Sequence, residues 1–245
     1  MPGTRTGSRA IACRGVCGRY TSSSPPPQLA AYFDATVHET LAEPSWNVAP
    51  TDPVHAVLEA DGERRLDVLR WGLVPWWSND TRGAARMINA RAETLATKPA
   101  YREAFEKRRC IIPADGFYEW RRVEDRKSQP YFIHRTDGDP VAFAGVGAVW
   151  RTPEDGRLRT CSIVTTKANE TVAPLHARMP VILPPSAWDA WLDPANNDTV
   201  ILARLLVPAP PALLTAYPVV PLVNSVRNNG PELIAQATDE SELTS

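Results

Sequence analysis

The sequence predicts an α+β fold with a mostly β core. Short runs of β-branched and aromatic residues, bounded by Gly, Pro and Asp, outnumber segments with helical periodicity. The chain carries 24 prolines in 245 residues, and several lie beside predicted strands, which disfavours long regular helices. Strands and helices do not alternate as a doubly wound parallel sheet requires.

The strand predictions rest on five runs in the body of the chain. These runs cover residues 54–59, 66–71, 131–134, 141–150 and 160–166. A last short strand is predicted at 216–220, after a turn or semi-rigid connector that contains Pro208, Pro210 and Pro211. No internal repeat is present, and this proline-rich connector does not predict a second domain.

Helical periodicity is confined to four short segments. They cover residues 28–37, 99–107, 185–192 and 197–206. Proline lies at or near three of the starts, where its missing N–H costs nothing. Other prolines flank strands and imply irregular loops, which commonly carry functional sites. These are Pro50, Pro75, Pro113, Pro130 and Pro140.

Composition and charge exclude several classes of protein. With 43% apolar and 22% charged residues, the chain has enough material for a sizeable core. The formal net charge is −1, so any contact with nucleic acid depends on a local patch of Arg and Lys. No apolar run approaches the roughly 20 residues of a membrane span, and no secretory signal is recognisable. We expect a cytoplasmic protein that does not contact a membrane.

The four cysteines do not form a disulfide or zinc framework by their spacing. Cys13 and Cys17 make a lone C-x3-C, and Cys110 and Cys161 lie in apolar contexts typical of a core. We expect reduced thiols, no metal site and no cofactor.

Four residues with reactive side chains lie beside turn residues or aromatics: Cys17, Asn89, Glu119 and His176. Together they have the parts of a nucleophile, an orienting group and an acid/base pair, although spacing alone does not bring them together. Structural alternatives exist for each. Cys17 can be a buried thiol, His176 a hydrogen-bonded structural residue, and Asn89 a turn residue. Strand alternation can bury Glu119 and raise its pKa, or leave it in solvent.

Two further groups are candidates for binding. Asn89 and Arg91 share one face of a strand by the period of two, which suits recognition of a single ligand. Trp71, Trp76 and Trp77 form a cluster that can serve either as core packing or as a platform for unpaired bases.

Taken together, a series of collinear motifs resembles the SOS response-associated peptidase (SRAP) family, whose members include abasic-site processing proteins that crosslink to single-stranded DNA. Any one motif is weak, but their fixed order over nearly the whole chain after Val16 is specific. The motifs are CGRY at 17–20, WNVAPT at 46–51, RWGLVPWW at 70–77, INARAET at 88–94, RCIIPADGFYEW at 109–120, IVTT at 163–166, HARMP at 176–180 and VNSVRNN at 223–229.

The resemblance implies a compact single domain with a β-rich, barrel-like core, short peripheral helices and a positively charged groove leading to the reactive cysteine. The corresponding domain is residues 16–235, between a disordered or untranslated head at 1–15 and a flexible tail at 236–245. In that family the cysteine follows the removed initiator methionine, whereas sixteen residues precede Cys17 here. Val16 can be the true start, read from a GTG codon, or the Val16–Cys17 bond can be cleaved by proteolysis or autocatalysis.

Residue roles follow from the same resemblance. The α-amine and thiol of Cys17 are expected to close a thiazolidine with the aldehyde of an abasic site. Glu119 and His176 are expected to move protons, and Asn89 to orient the cysteine or the sugar. The expected DNA-binding residues are Arg19 and Arg91 at phosphates, Trp76 and Trp77 at bases, and Asn47 and Pro50 in the pocket wall.

The expected partner is single-stranded DNA containing abasic sites, bound by a monomer that is nucleoid-associated when on DNA. Peptidase self-processing and weak AP-lyase activity are possible additions within this hypothesis. Two alternatives come from other classes: a conventional Cys/His thiol peptidase, which needs no free amine, and a non-covalent single-stranded DNA-binding module.

Overall fold

The computed structural model describes residues 17–38, 41–122 and 128–237. The predicted head at 1–15 and the tail from 238 onward lie outside the described residues. Within these ranges the strands are β1 (Tyr20–Ser22), β2 (Thr36–Val37), β3 (Ser45–Val48), β4 (Pro53–Ala60), β5 (Glu63–Trp71), β6 (Asn89–Arg91), β7 (Arg109–Ala114), β8 (Gly116–Arg121), β9 (Gln129–Arg135), β10 (Val141–Arg151), β11 (Arg157–Lys167), β12 (Arg178–Pro180) and β13 (Leu214–Pro218).

The helices in the described part are short. The α-helices are α1 (Pro26–Tyr32), α2 (Pro99–Lys107), α3 (Trp188–Leu192) and α4 (Thr199–Ala203). Short 3-10 turns lie at Ala84–Arg86, Ala92–Thr94, Pro185–Ala187, Pro211–Leu213, Pro221–Asn224 and Pro231–Ile234. None of the described helices is long and apolar enough to cross a membrane.

Five strands close into a β-barrel. β4 pairs with β5, β11 with β10, and β10 with β7, all antiparallel. A short parallel pairing of β5 with β11 and the Val57–Ile111 pairing of β4 with β7 complete the ring. β2, β6 and β12 extend the barrel strands at its edges. The structure therefore confirms the α+β class with a barrel core.

A second, five-stranded sheet lies against one end of the barrel. Its strand order is β13-β9-β8-β1-β3. Tyr20 of β1 packs edge-on against Trp71 of β5, with ring centroids 5.1 Å apart, and against Phe143 of β10 at 6.0 Å. These contacts place the start of the described chain over the end of the barrel formed by Trp71 and Phe143.

Strand alternation divides the core into an inner and an outer layer. The outer layer packs under α1, α2 and α3, and includes Leu29, Phe33, Phe105, Trp191, Val57, Ile111 and Val164. The neighbouring residues on the same strands point the other way, into the barrel, and include Leu69, Trp71, Cys110, Ile112, Phe143, Cys161 and Ile163. The prediction that Cys110 and Cys161 are core residues is confirmed.

Most predicted elements are present, with shifted bounds at the helices and at the last strand, which was predicted at 216–220 and is observed at Leu214–Pro218. Each of the five predicted body strands lies within an observed strand, and α2 has the predicted bounds. The helix predicted at 28–37 ends at Tyr32, because Asp34 adopts a φ of +50° and Thr36–Val37 pairs with β5 instead. The segment predicted at 185–192 begins as a 3-10 turn, and that at 197–206 is helical only over Thr199–Ala203.

Candidate active site

The backbone nitrogen of Cys17 lies against a buried carboxyl group. β1 pairs antiparallel with β8 in the register Tyr20–Phe117, and the Tyr118 N–H donates to the Arg19 carbonyl at 3.0 Å. This pairing brings the residues before Tyr20 alongside those after Phe117. The Cys17 N–H consequently donates to Glu119 Oε1 at 2.7 Å across 102 residues of sequence.

Glu119 occupies the apolar side of β8. Phe117 and Glu119 share one face by strand alternation, and Glu119 is only 4% exposed. Burial raises the pKa of Glu119 from its ordinary value of 4.5 to about 7, partly offset by hydrogen bonds from the backbone N–H groups of Cys17 and Trp120. Of the two alternatives drawn from the sequence, the buried carboxyl is confirmed.

Cys17 itself is fully buried beside the inner layer of the barrel. It packs in one cluster with Tyr20, Ile88 and Met179, which come from three separate segments. Burial, and then the nearby Cys161 and Cys17 thiols, raise the pKa of the Tyr20 phenol. Cys17 therefore belongs to the same inner-layer cluster as residues of β1, of the segment before β6 and of β12.

Asn89 and Arg91 reach this region on β6. The strand runs parallel to β11, with Asn89 opposite Ile163 and Arg91 opposite Thr165. Asn89 is half-buried directly after Ile88, whereas Arg91 is exposed. The Tyr101 hydroxyl of α2 donates to the Asn89 carbonyl at 3.2 Å and fixes the start of the strand.

His176 is held on a turn between two residues of the same cluster region. Leu175 packs against that cluster and Met179 is part of it. The Arg178 N–H donates to His176 Nδ1 at 3.0 Å, and the same Nδ1 lies 3.3 Å from the Arg178 carbonyl oxygen, so the backbone of Arg178 orients the ring. The structure thus brings Cys17 and Glu119 into direct contact, whereas Asn89 and His176 are related to them only through their sequence neighbours Ile88 and Leu175, which belong to or pack against the same large cluster.

Asn47 lies inside the protein, where it clamps a loop. Its Nδ2 donates to the carbonyls of Ser225 and Asn228 at 3.0 and 2.9 Å, and its Oδ1 accepts from Arg19 Nη1 at 2.8 Å. The same Arg19 nitrogen donates to the Val223 carbonyl at 3.0 Å. Asn47 therefore positions residues 223–228, and its expected roles in the pocket wall and at DNA stay predictions, as does the DNA contact of Arg19.

The three tryptophans near residue 75 divide into core and surface. Trp71 is fully buried and donates from Nε1 to the Ile88 carbonyl at 2.9 Å. Trp76 and Trp77 are 64% and 46% exposed and pack edge-on, with centroids 5.5 Å apart. Gly72 turns the chain between them at a φ of +126°, where a Cβ would lie 2.6 Å from the Ala84 carbonyl oxygen, so only glycine fits.

Pro50 is half-buried in the turn after β3, and Thr51 beside it has a φ of +78°. Its role in the pocket wall stays a prediction. In the described part of the chain, no group of three or more His, Cys, Asp or Glu side chains is placed to hold a metal ion.

Comparison with known proteins decides the family. The family model described as "SOS response associated peptidase (SRAP)" matches residues 16–226. The chain belongs to the SRAP family. The SRAP match covers every strand and α-helix described above.

Individual relatives agree over most of the SRAP chain. The abasic site processing protein YoqW of Bacillus subtilis (strain 168) is 43% identical over 221 residues, covering 89% of this chain and 99% of that protein. The abasic site processing protein YedK of Escherichia coli (strain K12) is 34% identical, with the same two coverages. A crystal structure from Bacteroides thetaiotaomicron superposes with a TM-score of 0.81 at 26% identity, covering 91% of this chain and all of that one.

Two features of this SRAP site were not assigned a role from the sequence. Arg178 makes a two-pronged ion pair with Glu93, at 3.0 and 2.9 Å, which ties the His176 turn to the segment after β6. The loop at 223–229 closes over Asn47, and Asn229 Oδ1 accepts from the Trp46 N–H at 2.8 Å. Both groups lie within the collinear motifs given above. Their place in those motifs was the sequence signal that could have marked them as functional.

Proposed function

We propose that this chain recognises abasic sites in single-stranded DNA and captures them as a covalent thiazolidine on Cys17. The observation that carries the proposal is the 2.7 Å contact between the Cys17 nitrogen and Glu119, whose pKa is raised to about 7. While the Cys17 nitrogen is uncharged, as it is in the amide and in the reactive amine, burial keeps the pKa of this touching carboxyl near neutrality, which suits a condensation that needs both proton removal and proton donation. The names of the relatives support the same substrate.

The chemistry is a condensation that releases one water. The neutral α-amine of Cys17 adds to the ring-opened aldehyde of the abasic sugar, and ionised Glu119 accepts the proton that the nitrogen loses. Protonated Glu119 returns that proton to the alkoxide, which gives the carbinolamine. Glu119 then transfers the second nitrogen proton to the hydroxyl, which leaves as water and gives the imine. The Cys17 thiol adds to the imine carbon, its proton passes to the nitrogen, and a five-membered ring closes.

This reaction requires Cys17 to be the first residue, because an amide nitrogen is not a nucleophile at neutral pH. The backbone of Cys17 is consistent with that state. Its φ is +47°, a left-handed conformation that costs an L-residue roughly 1–2 kcal/mol. A chain that starts at Cys17 has no such torsion, so the strain disappears when the preceding residues are absent.

Other residues complete the proposed site. His176, whose ring is oriented by the Arg178 backbone, donates to the sugar oxygen during ring opening, and Asn89 orients the sugar or the cysteine. Exposed Arg91 contacts phosphate, while Trp76 and Trp77 stack on or wedge between unpaired bases. One chain contains the complete site, so a monomer suffices. Weak strand cleavage by β-elimination from the imine is an expected side reaction.

The test is intact mass spectrometry of the protein mixed with single-stranded DNA that carries one abasic site. A chain beginning at Cys17 should give an adduct that survives denaturation and is absent in Cys17→Ala. Glu119→Gln should slow adduct formation by about a hundredfold or more, which is the usual range for a lost acid/base group. The matched control is Glu154→Gln, an exposed carboxyl in the turn between β10 and β11. An adduct that forms equally well when the amine is blocked would overturn the thiazolidine mechanism.

The Glu119 contact also favours a second activity, release of the residues that precede Cys17. The Cys17 nitrogen is the leaving group of the Val16–Cys17 peptide bond, and protonated Glu119 lies at hydrogen-bond distance from it. Hydrolysis would add water to that bond, with Glu119 donating the proton to the departing nitrogen. A time course of intact mass on chains that begin before Val16 tests this, since release should slow in Glu119→Gln. Equal rates in the wild type and this variant would contradict it.

A further inference from the structure

The barrel has a second open end, away from Cys17. Tyr20 covers the end formed by Trp71 and Phe143. Asp67 and Gly147 face into the barrel four residues further along the same two strands. This spacing places them about 13 Å from Trp71 and Phe143. Asp67 and Gly147 line a cavity of about 290 Å³. The cavity is therefore the opposite mouth of the barrel, a common place for small-molecule sites.

The lining combines an apolar floor with a cationic rim. Leu58, Leu69 and Cys110 continue the inner layer of the barrel, and Val149 and Leu192 add apolar wall. Around them are four basic side chains: Arg65, Lys107, Arg108 and Arg159. Unlike Arg109, these side chains do not use all their N–H donors on backbone carbonyls. Only two carboxylates, Glu59 and Asp67, line the same space. Basic groups therefore outnumber acidic groups in the lining, although Arg65 pairs with Asp61 and Glu63, and Arg108 with Glu103, just outside it.

One of these cations is held in a fixed orientation. Asp67 is 7% exposed, and its Oδ2 accepts from Arg159 Nη2 at 2.6 Å while its Oδ1 accepts from the Val68 N–H at 2.6 Å. The carboxylate therefore fixes one edge of the Arg159 guanidinium. The remaining N–H groups of a fixed guanidinium form a preorganised fork for an oxyanion.

Arg108 supplies a second donor whose bonding is incomplete. Its Nη2 pairs with Glu103 at 2.9 Å, but its buried Nε–H has no acceptor among the described residues. A buried donor without an acceptor is costly, and an anionic acceptor in the adjoining mouth would remove that cost. Arg109, by contrast, also lines the mouth but uses its donors on backbone carbonyls.

We propose that this mouth binds a small amphipathic anion: an organic carboxylate or phosphate monoester with an apolar or aromatic body of about ten non-hydrogen atoms. The size follows from the cavity, which equals about ten water volumes. The apolar body contacts Leu58, Leu69 and Val149, and the oxyanion accepts from Arg159 and Arg108. The site uses none of the residues of the proposed abasic-site chemistry, so the two proposals stand separately.

The experiment is a ¹H–¹⁵N NMR titration of the full chain with benzoate, phenyl phosphate and the neutral analogue benzamide at millimolar concentrations. Benzoate or phenyl phosphate should give saturable shifts at the amides of residues 58–60, 65–69, 107–110 and 147–149, and benzamide should not. Tighter binding of benzoate would identify a carboxylate site, and tighter binding of phenyl phosphate would identify a phosphate site. Shifts that never saturate, that spread over the whole surface, or that benzamide reproduces would overturn the proposal.

Matched variants locate the site. Arg159→Gln should weaken anion affinity by about tenfold or more, because it removes charge-assisted hydrogen bonds. Arg157→Gln, on the same strand but outside the cavity, should leave the affinity unchanged. If Arg159→Gln fails to fold, Val149→Trp at the partly exposed rim should occlude the mouth and abolish the shifts. Unchanged affinity in folded Arg159→Gln or Val149→Trp would overturn the site, whereas DNA adduct formation by both should match the wild type.

Discussion

At Glu119 the strongest single electrostatic effect in the candidate site comes from desolvation. Two backbone N–H groups stabilise the ionised form, yet burial outweighs them and the pKa is raised to about 7. The carboxyl is therefore divided between its two protonation states near neutral pH. That division lets one side chain both accept and donate a proton in a condensation.

The raised pKa predicts how stability depends on pH. Because folding favours the protonated carboxyl, its stabilising contribution is complete below pH 4.5 and is lost as pH rises through about 7. Glu119→Gln lacks this titration. The free energy of unfolding of the variant minus that of the wild type should increase by about 3 kcal/mol as the pH rises from 4.5 to above 7. Urea denaturation across that range measures the difference.

This comparison should use chains that retain a residue before Cys17. There the Cys17 nitrogen is an uncharged amide, whereas an ammonium group would favour ionised Glu119 and reduce the effect. Glu154→Gln again serves as the control and should follow the wild type at every pH. A constant difference between Glu119→Gln and the wild type from pH 4.5 to above 7 would contradict a raised pKa.

Residue patterns foretold some of the site and not the rest. Alternation along the segment FYEW predicted a buried position for Glu119 as one of two alternatives, and the structure confirms it. The contact with Cys17 depends on the register of β1 against β8, which is set by packing between residues about 100 apart. Asn47 was assigned to the wall, but its Nδ2 donates to backbone carbonyls, which carry no sequence signature.

At the scale of elements, one side chain connects β3 to the loop at 223–229. This loop has little buried apolar surface of its own, since Val223 is buried but Leu222 and Val226 are exposed. Its backbone carbonyls accept instead from Asn47 and Arg19. We therefore expect the position of the loop to depend on the amide donor of Asn47.

Asn47→Asp tests that dependence with little change in size. The carboxylate has no N–H to donate, so the carbonyls of Ser225 and Asn228 lose their partner and face a negative charge. The free energy of unfolding should fall by about 2–4 kcal/mol. Hydrogen exchange should accelerate at residues 223–229 but not in the barrel strands. The control is Asn79→Asp, the same chemical change at an exposed asparagine outside this clamp, and it should change neither quantity appreciably.

Most of the elements that sequence patterns missed are short, although β7, a barrel strand of six residues, was missed too. β1, β3 and β12 have three, four and three residues, too few to show a period of two. Their existence depends on longer strands that provide hydrogen-bonding edges, as β11 does for β12. Long strands such as β10 and β11 were predictable because eleven residues are enough to show the alternation between the two faces of the barrel wall.

At the scale of the whole molecule, the barrel has one mouth for each proposed site. Cys17 and Glu119 lie at the end covered by the second sheet, and the cationic cavity lies at the other. Closure of the barrel could not be predicted from composition, because it rests on a two-residue parallel pairing between β5 and β11. The inner layer packed between the mouths keeps the two sites about 13 Å or more apart.

The helices outside the barrel are fastened to it through Arg109, the first residue of β7. Its guanidinium is 5% exposed and donates to five carbonyls, those of Phe105, Glu106, Trp191, Asp193 and Asn196, at 2.6–2.7 Å. The first three lie at the C-terminal ends of α2 and α3, where carbonyls lack helical partners and carry partial negative charge. A buried cation is thus balanced by backbone dipoles from two helices.

Arg109→Lys should lower the stability of the whole molecule, although the charge is kept. A lysine ammonium has three donors in place of five and cannot span carbonyls on both sides of a planar fork, so some buried acceptors lose their partners. We expect the free energy of unfolding to fall by about 3–5 kcal/mol in a single transition, because the helices cover the outer layer of the same barrel. Chemical denaturation followed by circular dichroism and by tryptophan fluorescence measures both features. The exposed Arg102→Lys on α2 should leave the midpoint unchanged, and two separated transitions in Arg109→Lys would show that the helices and the barrel unfold independently.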